Sequence, residues 1–460
     1  MDAAAPRRPS AWRRVSAPQL FVGSFLALVA LGTLGLRLLP GLAHGPRLGW
    51  LDAAFMATSA VCVTGLSVVD PGAYFTTAGQ AFLLVLIQLG GLGMLTFTTV
   101  IILALGRRLS LRQETLITNV AESGPRVPPE VLLRDILRFT LVIEAAGALL
   151  LFVAWGPRLG WREAAWPAVF HAVSAFCNAG FSTFSDSLVG FQRSPATLLI
   201  VGLLVVVGGI GFLVLEELSL RWRGPRTARQ PRLSLHSRLV LVSTAVLLGV
   251  GWVLLGLSEW SGELGALPLG HRVVNALFLS ITPRTAGFNT IDYGAAADST
   301  NFLTILLMFV GGSPGSTAGG IKTTAFALIA LLASTRFAGE EVTRVRHRSI
   351  PEETVQRAVG LTAVAMVVVT ASILVLSWGE SPAVPGGSFL ALMFEAVSAF
   401  NTVGLSMGVT DDLSPLGRAL TVGLMFVGRV GPLTFAAALA TSARRHRAAH
   451  RYAFEDVVVG

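Results

Sequence analysis

Four short turns in this 460-residue chain can be laid on one another by a shared glycine, and that recurrence constrains the fold more than any other feature. They read SAVCVTGLSVVD (Ser59 to Asp70), SAFCNAGFSTFSD (Ser174 to Asp186), TPRTAGFNTID (Thr282 to Asp292) and SAFNTVGLSMGVTD (Ser398 to Asp411). The reference glycines Gly65, Gly180, Gly287 and Gly404 lie 115, 107 and 117 residues apart. Three of the turns carry a serine six residues before the glycine and a phenylalanine ten before it; the third has Ile281 and Leu277 there. A second match follows each turn 25, 28, 24 and 24 residues after its glycine: GGLGMLT from Gly90, GGIGFLV from Gly208, GGSPGST from Gly311 and GRVGPLT from Gly428. A repeat of this kind decides the architecture before any local reading does.

The repeat unit is a membrane one. The chain is 53% hydrophobic and 13% charged, against about 25% charged for soluble domains. Apolar segments fall at 19–39, 80–105, 136–155, 196–218, 238–257, 302–335, 358–378 and 419–441. Between the members of each pair lies a shorter apolar piece ending in a glycine turn, too short for the roughly 20 residues that a crossing requires. The expected fold is an all-α polytopic membrane protein. Its eight transmembrane helices form four helix–re-entrant loop–helix repeats with pseudo-fourfold symmetry, at 19–106, 136–218, 238–335 and 358–441. The stretches 1–18, 107–135, 219–237, 336–357 and 442–460 hold most of the arginines. That asymmetry marks them as cytoplasmic, with both termini on that side, and explains the net charge of +9 without a nucleic-acid partner. The run at 19–39 is too long for a signal peptide and is kept as a helix. Cys62 and Cys177 have no metal-type spacing and read as packing residues.

Irregular backbone at membrane depth is tolerated only where it is buried in protein or lines water. Four such turns point to one axis, lined by the carbonyls of Cys62, Val63, Thr64 and Gly65; Cys177, Asn178, Ala179 and Gly180; Arg284, Thr285, Ala286 and Gly287; and Asn401, Thr402, Val403 and Gly404. Carbonyl oxygens can replace the water shell of an alkali cation, and short helices such as 51–61 would aim their negative C-terminal ends at it. Asp70, Asp186, Asp292 and Asp411 follow the turns. They would ring an outer mouth and concentrate cations, or simply cap local turns.

The third second-helix segment is interrupted by GGSPGSTAGGIKTT: Gly311, Gly312, Ser313, Pro314, Gly315, Ser316, Thr317, Ala318, Gly319 and Gly320, followed by Ile321 and Lys322, the only lysine in the chain. It is not a phosphate loop, because Ile321 separates Gly320 from Lys322 and no strand precedes it. Phe302 to Ala333 would be about 48 Å long as one helix, well beyond a bilayer core of about 30 Å. A helix broken by an intramembrane loop beneath the turns fits better, and small residues suit a gate. The glycine pairs of repeats one and two fit a plain helix kink. Lys322 either holds loop carbonyls or snorkels to the interface. Arg429, whose repeat-mates are Gly91, Gly209 and Gly312, either pairs with Glu395 to pin the loop or acts as an electrostatic barrier. His171 reads as a packed residue, and Glu216 and Glu217 as a solvated helix end. Nothing groups as a catalytic triad or carboxylate pair, so the chain is not read as an enzyme. The runner-up function is an ion-coupled secondary transporter with discontinuous helices, a class that shows two larger repeats rather than four.

VCVTGL, FCNAGF, RTAGFNT and FNTVGL, together with MFVGGSPGSTAGGIKTT and MFVGRVGPLT, resemble the Trk/Ktr/HKT superfamily of potassium-translocating subunits over essentially the whole chain. With eight segments the resemblance is nearest to the Ktr-type B subunit. It implies a potassium uptake subunit of a prokaryotic inner membrane, forming a homodimer on a cytoplasmic ring of A-type regulatory subunits. ATP or ADP would bind that partner, and no cofactor this chain. K+ would be the transported ion, with Na+ as a possible second. A serine at the first turn goes with sodium permeation in plant relatives; Gly65 there favours potassium.

Overall fold

The structure, a computed structural model, describes residues 17–93, 129–223, 233–340, 342–345, 348–380 and 388–431. Much of the expected basic segments, and the far ends of 80–105 and 419–441, lie outside the described residues. Repeat one comprises α1 (Ala17–Leu38), α2 (Trp50–Val61) and α3 (Thr77–Gly91). Repeat two comprises α4 (Pro129–Leu159), α5 (Trp161–Phe176), α6 (Pro195–Ile210) and α7 (Phe212–Arg223). Repeat three comprises α8 (Leu235–Glu259), α9 (Leu269–Ile281), α10 (Asp298–Met308) and α11 (Thr323–Phe337). Repeat four comprises α12 (Glu352–Gly379), α13 (Phe389–Phe400) and α14 (Pro415–Val430). A two-residue hairpin, Arg344–Val345 with Arg348–Ser349, is the only sheet among the described residues.

The first helix of each repeat is the continuous one. α1, α4, α8 and α12 run 22, 31, 25 and 28 residues, enough for a core of about 30 Å at about 1.5 Å per residue. They present Leu31, Val142, Val253 and Val367 outward, as lipid-facing helices do. α2, α5, α9 and α13 are 12, 16, 13 and 12 residues. They are too short to cross, and their C-terminal parts are buried among the other helices. Phe55, Phe170 and Phe394 are fully buried, as the repeated phenylalanine suggests.

Among the described residues, the second helices depart from the expectation of simple spans. α3, α6, α10 and α14 are only 15, 16, 11 and 16 residues long, and each stops at or next to its glycine motif. α6 and α7 meet at 101° across Gly211, a turn rather than the kink expected there. Close packing explains the motif's first glycine. A Cβ on Gly90 would fall on the Val61 carbonyl oxygen, one on Gly208 on that of Phe176, and one on Gly428 on that of Phe400. In three repeats the second helix therefore sits directly on the last carbonyl of the short helix. In repeat three Gly311 packs instead against Gly319 of its own loop. Two carboxylates brace this arrangement. Glu259, ending α8, accepts from Ala297 N at 3.0 Å and the Thr300 hydroxyl at 2.6 Å at the start of α10. Glu380, following α12, accepts from Ser414 N at 3.1 Å and its hydroxyl at 2.8 Å at the start of α14. Anionic groups at helix N-termini stabilise them.

Candidate functional site

Each short helix ends in the same backbone conformation. The residue two before the reference glycine is left-handed in all four turns: Val63, Asn178, Thr285 and Thr402, with φ of 56°, 59°, 62° and 51°. The glycines follow at 98°, 70°, 77° and 93°. A β-branched residue resists this region, at a cost of roughly 1–3 kcal/mol. Three of the four left-handed residues are Val or Thr, and in turns one, two and four the conformation caps the short helix: Thr64 N, Ala179 N and Val403 N donate back to Ser59 O, Ser174 O and Ser398 O at 2.8, 2.7 and 2.8 Å.

The glycines that follow close a ring. A side chain on Gly65 would run into the Ala179 carbonyl oxygen, and one on Gly180 into that of Ala286. One on Gly287 would meet that of Val403, and one on Gly404 that of Thr64. The carbonyl preceding each glycine thus lies against the glycine of the neighbouring repeat, and repeat four returns to repeat one. The hydroxyls of Thr64, Thr285 and Thr402 are fully buried and hydrogen-bond to nothing among the described residues.

The serine at minus six braces the turn. Gly65 N donates to Ser59 Oγ and Gly404 N to Ser398 Oγ, both at 3.1 Å. In repeat two the Ser174 hydroxyl donates to Phe181 O at 2.8 Å. Sequence reasoning found no counterpart in repeat three, yet the Thr282 hydroxyl donates to Phe288 O. Phe278 and Thr282 are four residues apart, like Phe55 and Ser59, and both are buried. The third repeat has shifted its brace by one residue rather than lost it. That constant spacing was the available signal.

The glycine-rich segment crosses one end of the turns. Thr317 Oγ1 donates to Phe176 O at 3.1 Å, Ser313 N to Gly209 O at 3.0 Å, and Ile321 N to Asn401 Oδ1 at 3.4 Å. Gly319 lies so close to Thr402 that a Cβ would strike its hydroxyl. Three cations hold the loop, each through a backbone carbonyl. Arg429, 2% exposed, donates to Thr317 O and, at 2.7 Å, to Gly90 O. Lys322 Nζ donates to Ala318 O at 2.8 Å, and Arg284 to Gly311 O at 3.3 Å. The expected Arg429–Glu395 pair is absent. Glu395 accepts instead from Ser406 and Thr410, beyond the glycine of turn four.

At the other end of the turns a cavity of about 260 Å³ is lined by Gly65, Gly404, Asp70 and Asp411. Asp186 and Asp292 do not line it. Asp70, Asp186 and Asp292 each also accept a local backbone N–H, from Gly72, Gly190 and Gly294 at 2.8, 2.9 and 2.8 Å. His171 is buried between Pro167 O at 2.8 Å and Ser182 Oγ at 2.9 Å, a packed histidine as expected. Glu217 is not merely a solvated helix end, because it accepts from Ser234 N and the Ser234 and Ser237 hydroxyls at the start of α8. A contact the sequence did not suggest lies behind turn two. Glu144 accepts from Gln88 Nε2 at 3.1 Å and from the Cys177 thiol at 3.8 Å, tying α3 and α4 to the turn.

Comparison with known proteins agrees with this architecture. The TrkH family model, described as a cation transport protein, matches residues 13–445. The chain is 36% identical to the Ktr system potassium uptake protein B of Bacillus subtilis over 427 residues, covering 92% of this chain and 93% of that one. It is 35% identical over 452 residues to the potassium/sodium uptake protein NtpJ of Enterococcus hirae, covering 97% and 98%. The crystal structure of the potassium transporter TrkH from Vibrio parahaemolyticus superposes with a TM-score of 0.73 at 20% identity, covering 96% of this chain and 88% of that one. With a family model spanning nearly its whole length, the chain belongs to the TrkH family of cation transport proteins.

Proposed function

We propose that this chain is the membrane subunit of a potassium uptake system and that K+ passes through the ring of turn carbonyls. The observation that carries the reading is the closed cycle of glycine against neighbouring carbonyl. Each glycine keeps the path free of side chains, and the carbonyls replace water around the ion. The loop from Gly311 to Gly320 is the gate, held shut by Arg429 and Lys322 through Thr317 O and Ala318 O. Asp70 and Asp411, bordering the cavity, draw cations to it; Asp186 and Asp292 contribute only at longer range. The similarity to proteins named as part B of a Ktr potassium uptake system supports a chain that works within a system of several subunits; the proposal takes it as a homodimer on cytoplasmic A-type subunits that bind the nucleotide. The similarity to NtpJ supports an involvement of Na+. The setting is a prokaryotic inner membrane with both termini cytoplasmic.

Expression with its cytoplasmic partner in a bacterium lacking potassium uptake tests this reading. Growth at low potassium is the expected result. Failure to grow, with both proteins present and this chain inserted, would overturn it.

A further inference from the structure

A second cavity, of about 10 Å³, lies between α6, α8 and the glycine-rich loop, where Val205, Leu248, Ile281 and Gly312 meet Thr244 and Arg284. It shares no lining residue with the cavity over Gly65 and Gly404. The space admits about one water-sized particle and is too small for a phosphate group. Two buried polar side chains at it have unpartnered atoms. Arg284 is 8% exposed and Thr244 6%. Among the described residues Arg284 gives one hydrogen bond, to Gly311 O at 3.3 Å, and its Nε bonds to nothing. Nor does the Thr244 hydroxyl, although a threonine inside a helix can return its proton to a carbonyl one turn back.

Charge decides what fits between them. A guanidinium has five N–H donors, no acceptor, and stays ionised, and a buried charge is costly unless compensated. The ion pairs among the described residues join Arg134 to Asp135, Arg344 to Glu340, Arg357 to Glu353 and Arg418 to Asp52; none includes Arg284. The C-terminus of α9, at Ile281, offers it only about half a negative charge. Lys322 and Arg429, which hold the same loop through Ala318 O and Thr317 O, add to the positive potential. A water in the cavity would accept from Nε and leave the charge as it is. A small anion would answer both demands.

We propose that this cavity binds one small monovalent anion, chloride. Arg284 Nε and the Thr244 hydroxyl donate to it, and the single charge of the guanidinium is balanced by the single charge of the ion. Val205, Leu248 and Ile281 surround it with apolar atoms, and a low dielectric strengthens the attraction between the two charges. The bound ion ties α8, through Thr244, to the start of turn three, beside Gly312 of the loop. The site is separate from the carbonyls proposed to pass K+, so it stands or falls apart from that reading.

The test is thermal unfolding of the full-length purified protein at fixed K+ concentration and ionic strength, with chloride replacing gluconate, an anion too large for the cavity. Constant K+ leaves any occupancy of the ring unchanged. The wild type is expected to show a saturable upward shift with chloride. Thr244→Val, which keeps the shape and deletes one donor, is expected to raise the half-saturating chloride concentration about tenfold. Arg284→Gln is expected to lose the shift; if it does not fold, Thr244→Val alone decides. A half-saturating concentration unaltered in Thr244→Val overturns the proposal. So does a wild type indifferent to chloride, which would mean that a water fills the cavity. In crystals grown in bromide, an anomalous peak is expected within hydrogen-bond distance of Arg284 Nε and Thr244 Oγ1, and peaks found only elsewhere would overturn the assignment.

Discussion

At the scale of single residues, the four turns are held by contacts whose signals in the sequence differ in strength. The glycines and the serines at minus six are legible because only certain residue types serve there: one must lack a side chain, the other must offer a hydroxyl. The left-handed Val63, Thr285 and Thr402 are not legible, since their types oppose that conformation. In turns one, two and four the conformation serves as the cap of the short helix, a role that glycine or asparagine usually signals and valine or threonine does not. Thr282 was missed because the third repeat is aligned by its glycine, one residue out of step with its brace. Removing this brace should matter. Thr282→Val keeps the volume but deletes the donor to Phe288 O, an expected loss of about 1–3 kcal/mol for a buried group left unpaired. Thermal unfolding would measure it. A change within experimental error would mean that Thr282 is not a structural counterpart of Ser59.

At the scale of elements, the second helices give the clearest lesson. Hydropathy reads through their glycine motifs and returns four long spans, but among the described residues every one stops there. Glycine at Gly90, Gly208 and Gly428 is needed for contact with another helix's terminal carbonyl, a tertiary requirement invisible to a hydropathy window. Gly208→Val should therefore destabilise by about 1–3 kcal/mol or more through overpacking. The comparable Gly249→Val, where a Cβ meets nothing, should not; equal shifts in melting temperature for the two would contradict this. The loop of repeat three was legible from excess length and composition, whereas the carbonyl partners of Arg429 were not, because sequence shows charges more readily than backbone acceptors. Deleting Gly312 to Gly319, or replacing Arg429 with Gln, should raise basal cation flux in vesicles. Flux that stays level or falls in both variants would remove the gating role.

At the scale of the molecule, repetition carried most of the information. Four units at nearly equal spacing implied fourfold pseudosymmetry, and the four continuous first helices surround the four short ones accordingly. The departures from symmetry are Arg429 in repeat four, the long loop in repeat three that it holds, and Glu144 in repeat two, which ties α3 and α4 to a turn. Sequence could locate these residues without saying what each would touch, since their partners come from other repeats. The central claim is that the four glycines form one ring around a cation path. The most direct measurement is the ratio of K+ to Na+ uptake, with the cytoplasmic partner present, for Gly65→Ser, Gly180→Ser, Gly287→Ser and Gly404→Ser taken singly. The account predicts that all four raise Na+ relative to K+, because each side chain would push on the next repeat's carbonyl. A ratio unchanged across the four inserted variants would contradict it.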